Sequence, residues 1–229
     1  EFKIFSALQE INSSKWTLAS LGIRASQFYA LTIQDFDAQI AKLSMYISEH
    51  QMYEKLRDIF GEVSPTLPFS NTLNIKVTNS LHEDWESFLN VGDEEIFIIG
   101  NPPYVGSSMQ NNDQKNDMER VLGNYSNYKK LDYIACWFEK GSQFISMTLN
   151  SSMGLVSTNS ITQGEQVDLL WPNIDKAGVS VQFAYQSFEW KNNAQYNAGI
   201  TCCIIGLAKK NNKPKYIYKP LTITNHNEI

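Results

Sequence analysis

The sequence predicts an α/β fold built on an open sheet whose central strand is covered on both faces. Three observations carry that expectation. The first is an apolar run, Ile96-Phe97-Ile98-Ile99, that stops at Gly100 and gives way to Asn101-Pro102-Pro103-Tyr104. The second is a strand-helix-strand pattern upstream of it, and the third is a pair of long apolar stretches, 179–188 and 199–207, downstream. The run is too apolar and too rich in β-branched residues for a half-solvated strand, so a central position covered on both faces is expected.

Taken in order, Phe2, Phe5, Leu8 and Ile11 recur at threefold spacing, and residues 1–12 read as a helix. Gln27 to Ile33 reads as a buried strand, with Asp35 as the N-cap of the helix that follows. That helix, near Phe36 to Phe60, carries Phe36, Ile40, Leu43 and Ile47 on one face. Residues 61–72 hold Pro65 and Pro68 and form a loop, after which Leu73 to Val77 alternates as a strand. Asn79-Ser80-Leu81 then turns the chain, and Asp84-Trp85 reads as an acidic turn with one packed tryptophan.

Beyond Tyr104, the stretch Ser107 to Lys130 is polar and rich in asparagine. Its place suggests a mobile segment over a substrate, and its composition suits an ordinary solvated helix-loop. Leu131 to Met147 reads as a strong helix, with Leu131, Ile134, Ala135, Phe138 and Ile145 on one face. Gly154 to Asn159 is the next strand, and Ser160 to Glu165 a turn into a further helix. Val179 to Phe188 and Gly199 to Leu207 form the hairpin, joined through residues 189–194, and Lys215 to Tyr218 add a short edge strand.

At 229 residues and 42% hydrophobic, the chain can bury a real core and amounts to one domain or a large part of one. No apolar run approaches the ~18 residues of a membrane span, so a soluble, cytoplasmic protein that makes no membrane contact is expected. Cys202 and Cys203 are adjacent within an apolar strand; with Cys136 they read as reduced core residues rather than a disulfide framework. His50, His82 and His226 lack ligand spacing, so no metal site is expected. A net charge of −5 argues against tight autonomous binding to a polyanion. Near the end, however, Lys191, Lys209, Lys210, Lys213, Lys215 and Lys219 face only Glu189, which suits a DNA-facing end or lysines guarding an edge strand.

The Asn-Pro-Pro-Tyr turn is where chemistry is expected. Each proline fixes its own φ, lacks an amide hydrogen, and pushes the residue before it out of the helical region. A rigid turn is thereby set at a strand's carboxyl end, where open α/β sheets bind ligands. Asn101 offers a carbonyl acceptor, Pro102 a backbone carbonyl, and Tyr104 a flat aromatic face. Two acceptors beside a ring suit the exocyclic amine of a nucleobase, a poor nucleophile because its lone pair is delocalised. Gripping both hydrogens localises that pair as the nitrogen attacks an electrophilic methyl group. Such a base must leave its helix to reach the turn. An ordinary strand followed by a Pro-Pro turn is the plainer alternative.

These residues resemble the signature of amino-group DNA methyltransferases that modify adenine. The wider chain resembles the methyltransferase region of the single-chain restriction–modification enzymes typified by MmeI, over nearly all of its length. The stretch Ser160-Ile161-Thr162-Gln163-Gly164 is its most specific match outside the turn. The resemblance implies a class I S-adenosylmethionine-dependent fold, a Rossmann-like doubly wound sheet that ends in an antiparallel hairpin, with residues 1–229 forming part of the catalytic domain. It also implies that the family's first strand, its glycine-rich cofactor turn and its target-recognition domain are not in the chain, since no Gly-x-Gly occurs. Carried over residue by residue, it implies Asn101, Pro102, Pro103 and Tyr104 as catalytic. Thr32, Ile33, Asn79, Ser80 and Asn101 would hold S-adenosylmethionine, in a cleft lined by Thr32, Asn79 and Asn101. Tyr104, Phe188 and Trp190 would stack on the base.

One departure stands out: the family's acidic ribose ligand aligns with Thr32 or Gln34, leaving Asp35 as a substitute or as a cap. For Asn79-Ser80 a plain turn, and for Phe188 and Trp190 packed hairpin aromatics, are the alternatives. The implied partner is double-stranded DNA, engaged through the full-length protein. The other expected activities are methyl transfer to another planar amine or amide, or none. In the last case the chain is a remnant that works by binding a partner, dimerising or swapping strands across exposed sheet edges.

Overall fold

The computed structural model describes residues 25–60, 73–189 and 201–219. The helix expected over 1–12, the loop expected over 61–72, and Trp190 and Lys191 in the hairpin joint lie outside the described residues. The chain divides into two compact units, 1–83 and 84–229.

In the first unit, β1 (Tyr29–Thr32) and β2 (Asn74–Val77) run parallel, with Tyr29 opposite Asn74 and Thr32 opposite Val77. Helix α1 (Asp35–Phe60) connects them. This is the expected strand-helix-strand pattern, with three corrections. The strand is shorter than 27–33 and is not buried: Phe28, Tyr29 and Ile33 are exposed. The helix begins at Asp35 itself, and Ala38 N–H donates to the Gln34 carbonyl, so Asp35 lies in the first turn rather than ahead of it. Phe36, Ile40, Leu43 and Ile47 do share a face, but that face is exposed, while Ala38 is buried. Periodicity reports which face is apolar and not what covers it.

The second unit is a five-stranded sheet with order β3-β4-β6-β5-β7. Its strands are β3 (Ile96–Gly100), β4 (Ser151–Thr158), β5 (Val179–Glu189), β6 (Thr201–Lys209) and β7 (Tyr216–Tyr218). β3 and β4 are parallel, β6 is antiparallel to both β4 and β5, and β7 runs parallel to β5 at the edge. The expected hairpin and edge strand are therefore present. A helical layer is made by α2 (Trp85–Leu89), α3 (Asn112–Leu122), α4 (Ala135–Met147) and α5 (Gly164–Lys176).

The core lies between α4, α5 and one face of the sheet. Leu131, Ile134, Ala135, Phe138 and Ile145, the expected stripe, are all fully buried. They meet Met153 and Leu155 of β4, whose side chains alternate between buried and half-buried, and Leu207 of β6. Phe138 stands edge-on to Trp171 of α5 at 5.5 Å between ring centroids. Gly206 is required by packing: a Cβ there would collide with the ring of Phe183.

β3 departs from expectation. It is hydrogen-bonded to β4 alone among the described residues, and Phe97 and Ile99 are 68% and 85% exposed. The strand is thus covered on one face only. The polar stretch after Tyr104 takes the helical alternative: α3 starts with a capping box in which Asn111 and Gln114 each accept from the other's backbone N–H. One face of α3, with Asp117, Met118 and Leu122, is buried. At the start of the unit Asp84 caps α2, its carboxyl held below the usual value first of all by the Ser87 hydroxyl, and Trp85 packs against Phe144.

Truncating a fully buried aromatic ring should cost about 3–5 kcal/mol, whereas an exposed position costs about 0.5 kcal/mol or less. Phe138→Ala should therefore lower the urea midpoint of this chain strongly and Phe97→Ala barely. A large loss from Phe97→Ala would restore the doubly covered strand.

Candidate active site

At the carboxyl end of β3 the chain leaves the sheet through Asn101-Pro102-Pro103-Tyr104. Pro102 is buried, Asn101 and Pro103 are exposed, and Tyr104 is half-buried. The rigid turn is thus anchored by its first proline and presents Asn101 outward. The Cys202 thiol lies 3.9 Å from the Tyr104 hydroxyl, and the Asn101 side chain bonds the same hydroxyl. Burial first, then Cys202, raises the Tyr104 hydroxyl above its usual value of 10.0, against the opposing pull of the Asn101 amide.

Strand register explains why Cys202 is there. It stands opposite Thr158 at the end of β4 on one side and opposite Phe188 of β5 on the other. Three strand ends are therefore brought to one level beside the turn. Asn159 fastens two of them: its Oδ1 accepts from the Ser187 hydroxyl at 2.8 Å and from the Thr162 hydroxyl at 3.2 Å. Thr158 and Ser160 share a hydroxyl bond of 2.7 Å, and Ser160 donates to Asp132 Oδ2 at 2.6 Å. The next residue, Tyr133, donates its backbone N–H to the Val105 carbonyl at 2.9 Å, directly after the turn.

Cys202, Asp132, Tyr133 and Asn159 were not among the site residues expected from sequence. Asp132 and Tyr133 were hidden inside the helix expected over 131–147, which starts instead at Ala135. Of the expected residues, Asn101 and Tyr104 are in contact, and Phe188 on β5 pairs directly with Cys202 on β6, the neighbour of Tyr104. In the first unit, Thr32, Ile33, Asn79 and Ser80 gather at the carboxyl ends of β1 and β2. The Thr32 carbonyl accepts from Thr78 N–H at 2.7 Å, and Asn79 Oδ1 accepts from Leu81 N–H at 3.0 Å, closing a turn. Ile33 is 69% exposed and Asp35 is exposed beside it. Among the described residues no cluster of three His, Cys, Asp or Glu side chains could hold a metal ion, and no helix is long and apolar enough to cross a membrane.

The sequence model of the family described as "MmeI, DNA-methyltransferase domain" matches residues 1–219. The chain belongs to that family. A protein named DNA methyltransferase A, from Bacillus subtilis (strain 168), is 41% identical over 221 residues, which is 95% of this chain and 25% of that protein. The structure of the Type IIL restriction–modification enzyme MmeI in complex with DNA matches with a TM-score of 0.80 and 39% identity, covering 87% of this chain and 26% of that one. The chain spans about a quarter of the length of these relatives. The parallel β3–β4 pair followed by the antiparallel strands is the class I methyltransferase sheet expected from the sequence, here in its MmeI form.

Because the Tyr104 hydroxyl is raised, whatever stability its neutral form contributes is complete below about pH 10 and is lost as pH climbs through the folded-state value. Ultraviolet titration should show Tyr104→Phe removing a component from above the ordinary tyrosine range. Loss of a component at the ordinary value would mean that the hydroxyl is fully solvated.

Proposed function

We propose that this chain is the catalytic part of an enzyme that transfers a methyl group from S-adenosylmethionine to the exocyclic amine of adenine in DNA, within a cytoplasmic restriction–modification system. The observation that carries the reading is the turn itself: exposed Asn101, buried Pro102 and half-buried Tyr104 at the carboxyl edge of a parallel strand pair. Membership of a DNA-methyltransferase domain family supports the reaction class. The choice of adenine rests on the likeness of Asn-Pro-Pro-Tyr to the adenine-modifying signature.

The residues at the ends of β1 and β2 fit a purine nucleoside group. Exposed Ile33 offers an apolar surface, exposed Asp35 an acceptor for ribose hydroxyls, and Asn79 and Ser80 polar edges. Thr32 and Asn101 complete the proposed binding set. When bound, S-adenosylmethionine supplies an electrophilic methyl group. Everything else falls to the protein. Asn101 Oδ1 and the Pro102 carbonyl each accept one hydrogen of the amine, pulling its nitrogen toward tetrahedral geometry. Both bonds strengthen as positive charge develops on that nitrogen, which is transition-state stabilisation. Tyr104 stacks on the extruded base, with Phe188 and Trp190 as further platform residues, and Pro103 fixes the turn. A net charge of −5 leaves the grip on duplex DNA to the rest of the parent protein.

A second reading, a segment that is catalytically silent alone and works through a partner, is favoured by the exposed Phe97 and Ile99 on β3. Calorimetry of S-adenosylmethionine with this chain separates the two, saturable binding being the outcome expected under the first. In the full-length parent, Asn101→Ala should reduce methyl transfer about a hundred- to a thousandfold, the scale of losing one preorganised polar contact to developing charge. Nucleoside analysis of the DNA should show methylated adenine. Undiminished transfer by Asn101→Ala would remove the assignment.

A further inference from the structure

We infer that Asp117 is a positioning residue for the Asn-Pro-Pro-Tyr turn, acting through Tyr133. The inference rests on the catalytic reading of that turn, and it starts from a shortage: Pro102 and Pro103 carry no backbone donors, so the turn is poor in hydrogen bonds of its own. Its exit is held from outside, by Tyr133 N–H donating to the Val105 carbonyl at 2.9 Å. Tyr133 must therefore stay where it is for Tyr104 to stay where it is.

Three features fix Tyr133. Its hydroxyl donates to Asp117 Oδ2 at 2.5 Å, its ring stands edge-on to Trp137 at 5.0 Å, and its neighbour Asp132 accepts from Ser160 at the end of β4. Asp117 is 4% exposed and sits beside Met118 at 1%, on a helix face that closes a hydrophobic layer. A carboxylate is costly to bury there even when bonded, and a leucine would pack at no such cost. A charged-to-hydroxyl bond does what packing does not: it sets the height and direction of one ring, and through it one backbone donor. Asp132 and Tyr133 thereby bracket the site, one side bonded to the β4 end and the other to the turn.

The test uses the full-length parent protein. Tyr133→Phe removes the hydroxyl alone and keeps the ring against Trp137; Asp117→Leu removes the acceptor; Asp117→Asn keeps one. Tyr133→Phe and Asp117→Leu should lower kcat for methyl transfer about ten- to a hundredfold, the scale of a small misplacement of reacting groups, with KM for S-adenosylmethionine within about twofold. Asp117→Asn should recover most of the rate. Hydrogen exchange gives a readout free of activity: the Tyr133 amide, which donates to the Val105 carbonyl, should exchange faster in Tyr133→Phe and Asp117→Leu, with α5 unchanged. Unaltered exchange at the Tyr133 amide, or acceleration throughout the unit, would overturn the positioning role. Methyl transfer that survives Asn101→Ala while exchange at the Tyr133 amide still rises in Tyr133→Phe would instead overturn the catalytic reading and leave the clamp standing.

Discussion

The structure of the second unit turns on a segment that cannot hold itself. Two consecutive prolines make the chain after β3 stiff, but they also strip it of backbone donors at the point where the side chains must be aimed. Stiffness within the turn is useful only if the turn as a whole is fixed to something rigid. The fixings are few and local: Pro102 is buried, the Tyr104 hydroxyl meets Cys202 and Asn101, and Val105 accepts from Tyr133. Each comes from a different element, so a displacement of β6, of the segment before α4, or of β3 would be felt at Asn101.

The helical layer beside the turn also buries polar chemistry. Glu139 on α4 accepts from the Tyr125 hydroxyl and from Gln143 Nε2 at 2.7 Å, while Asp117 on α3 accepts from Tyr133. Two buried carboxylates in one small layer add little net stability, because desolvation offsets most of what their bonds contribute. They do impose register, since α3 and α4 can slide on one another only by breaking charged hydrogen bonds. Cys136 lies in the same layer, its thiol pushed well above the usual value by burial and then by Asp117 and Glu139. It stays protonated and inert, as a core residue should.

Much of this was legible in the residues, for identifiable reasons. The stripe from Leu131 to Ile145 was readable because helical spacing and complete burial coincide there, and the hairpin because two long apolar runs stand close in sequence. The turn was readable because Pro-Pro is a covalent constraint that no tertiary context reverses. Asp132 and Tyr133 were not, because Leu131 and Ile134 keep helical spacing through two tight turns, with Ala135 N–H bonding Asp132 and Cys136 N–H bonding Tyr133. Threefold spacing does not separate a helix from such turns. Cys202 was correctly read as core, yet its place beside Tyr104, 98 residues away in sequence, depends on strand register, which pattern alone does not encode. Phe97 and Ile99 show the converse: composition states what a side chain prefers, and strand order decides what it gets.

The charge of the chain fits the proposed chemistry better than a basic surface would. In the proposed reaction the base meets two neutral acceptors and a ring, none of which attracts a phosphate backbone, and the chain as a whole carries −5. Under that proposal the site itself would contribute little ground-state affinity for DNA. That is an advantage for the chemical step, because interactions that hold substrate and transition state equally do not raise kcat. In the proposed reaction, Asn101 and Pro102 would meet a neutral amine in the ground state and a nascent cation in the transition state, so their effect would fall mainly on the barrier. Separating the grip on the duplex from the grip on the amine lets each be set independently, provided the turn that carries the acceptors does not move when the DNA is bound. A clamp built from buried bonds beneath the turn, rather than from contacts to the substrate, meets that condition.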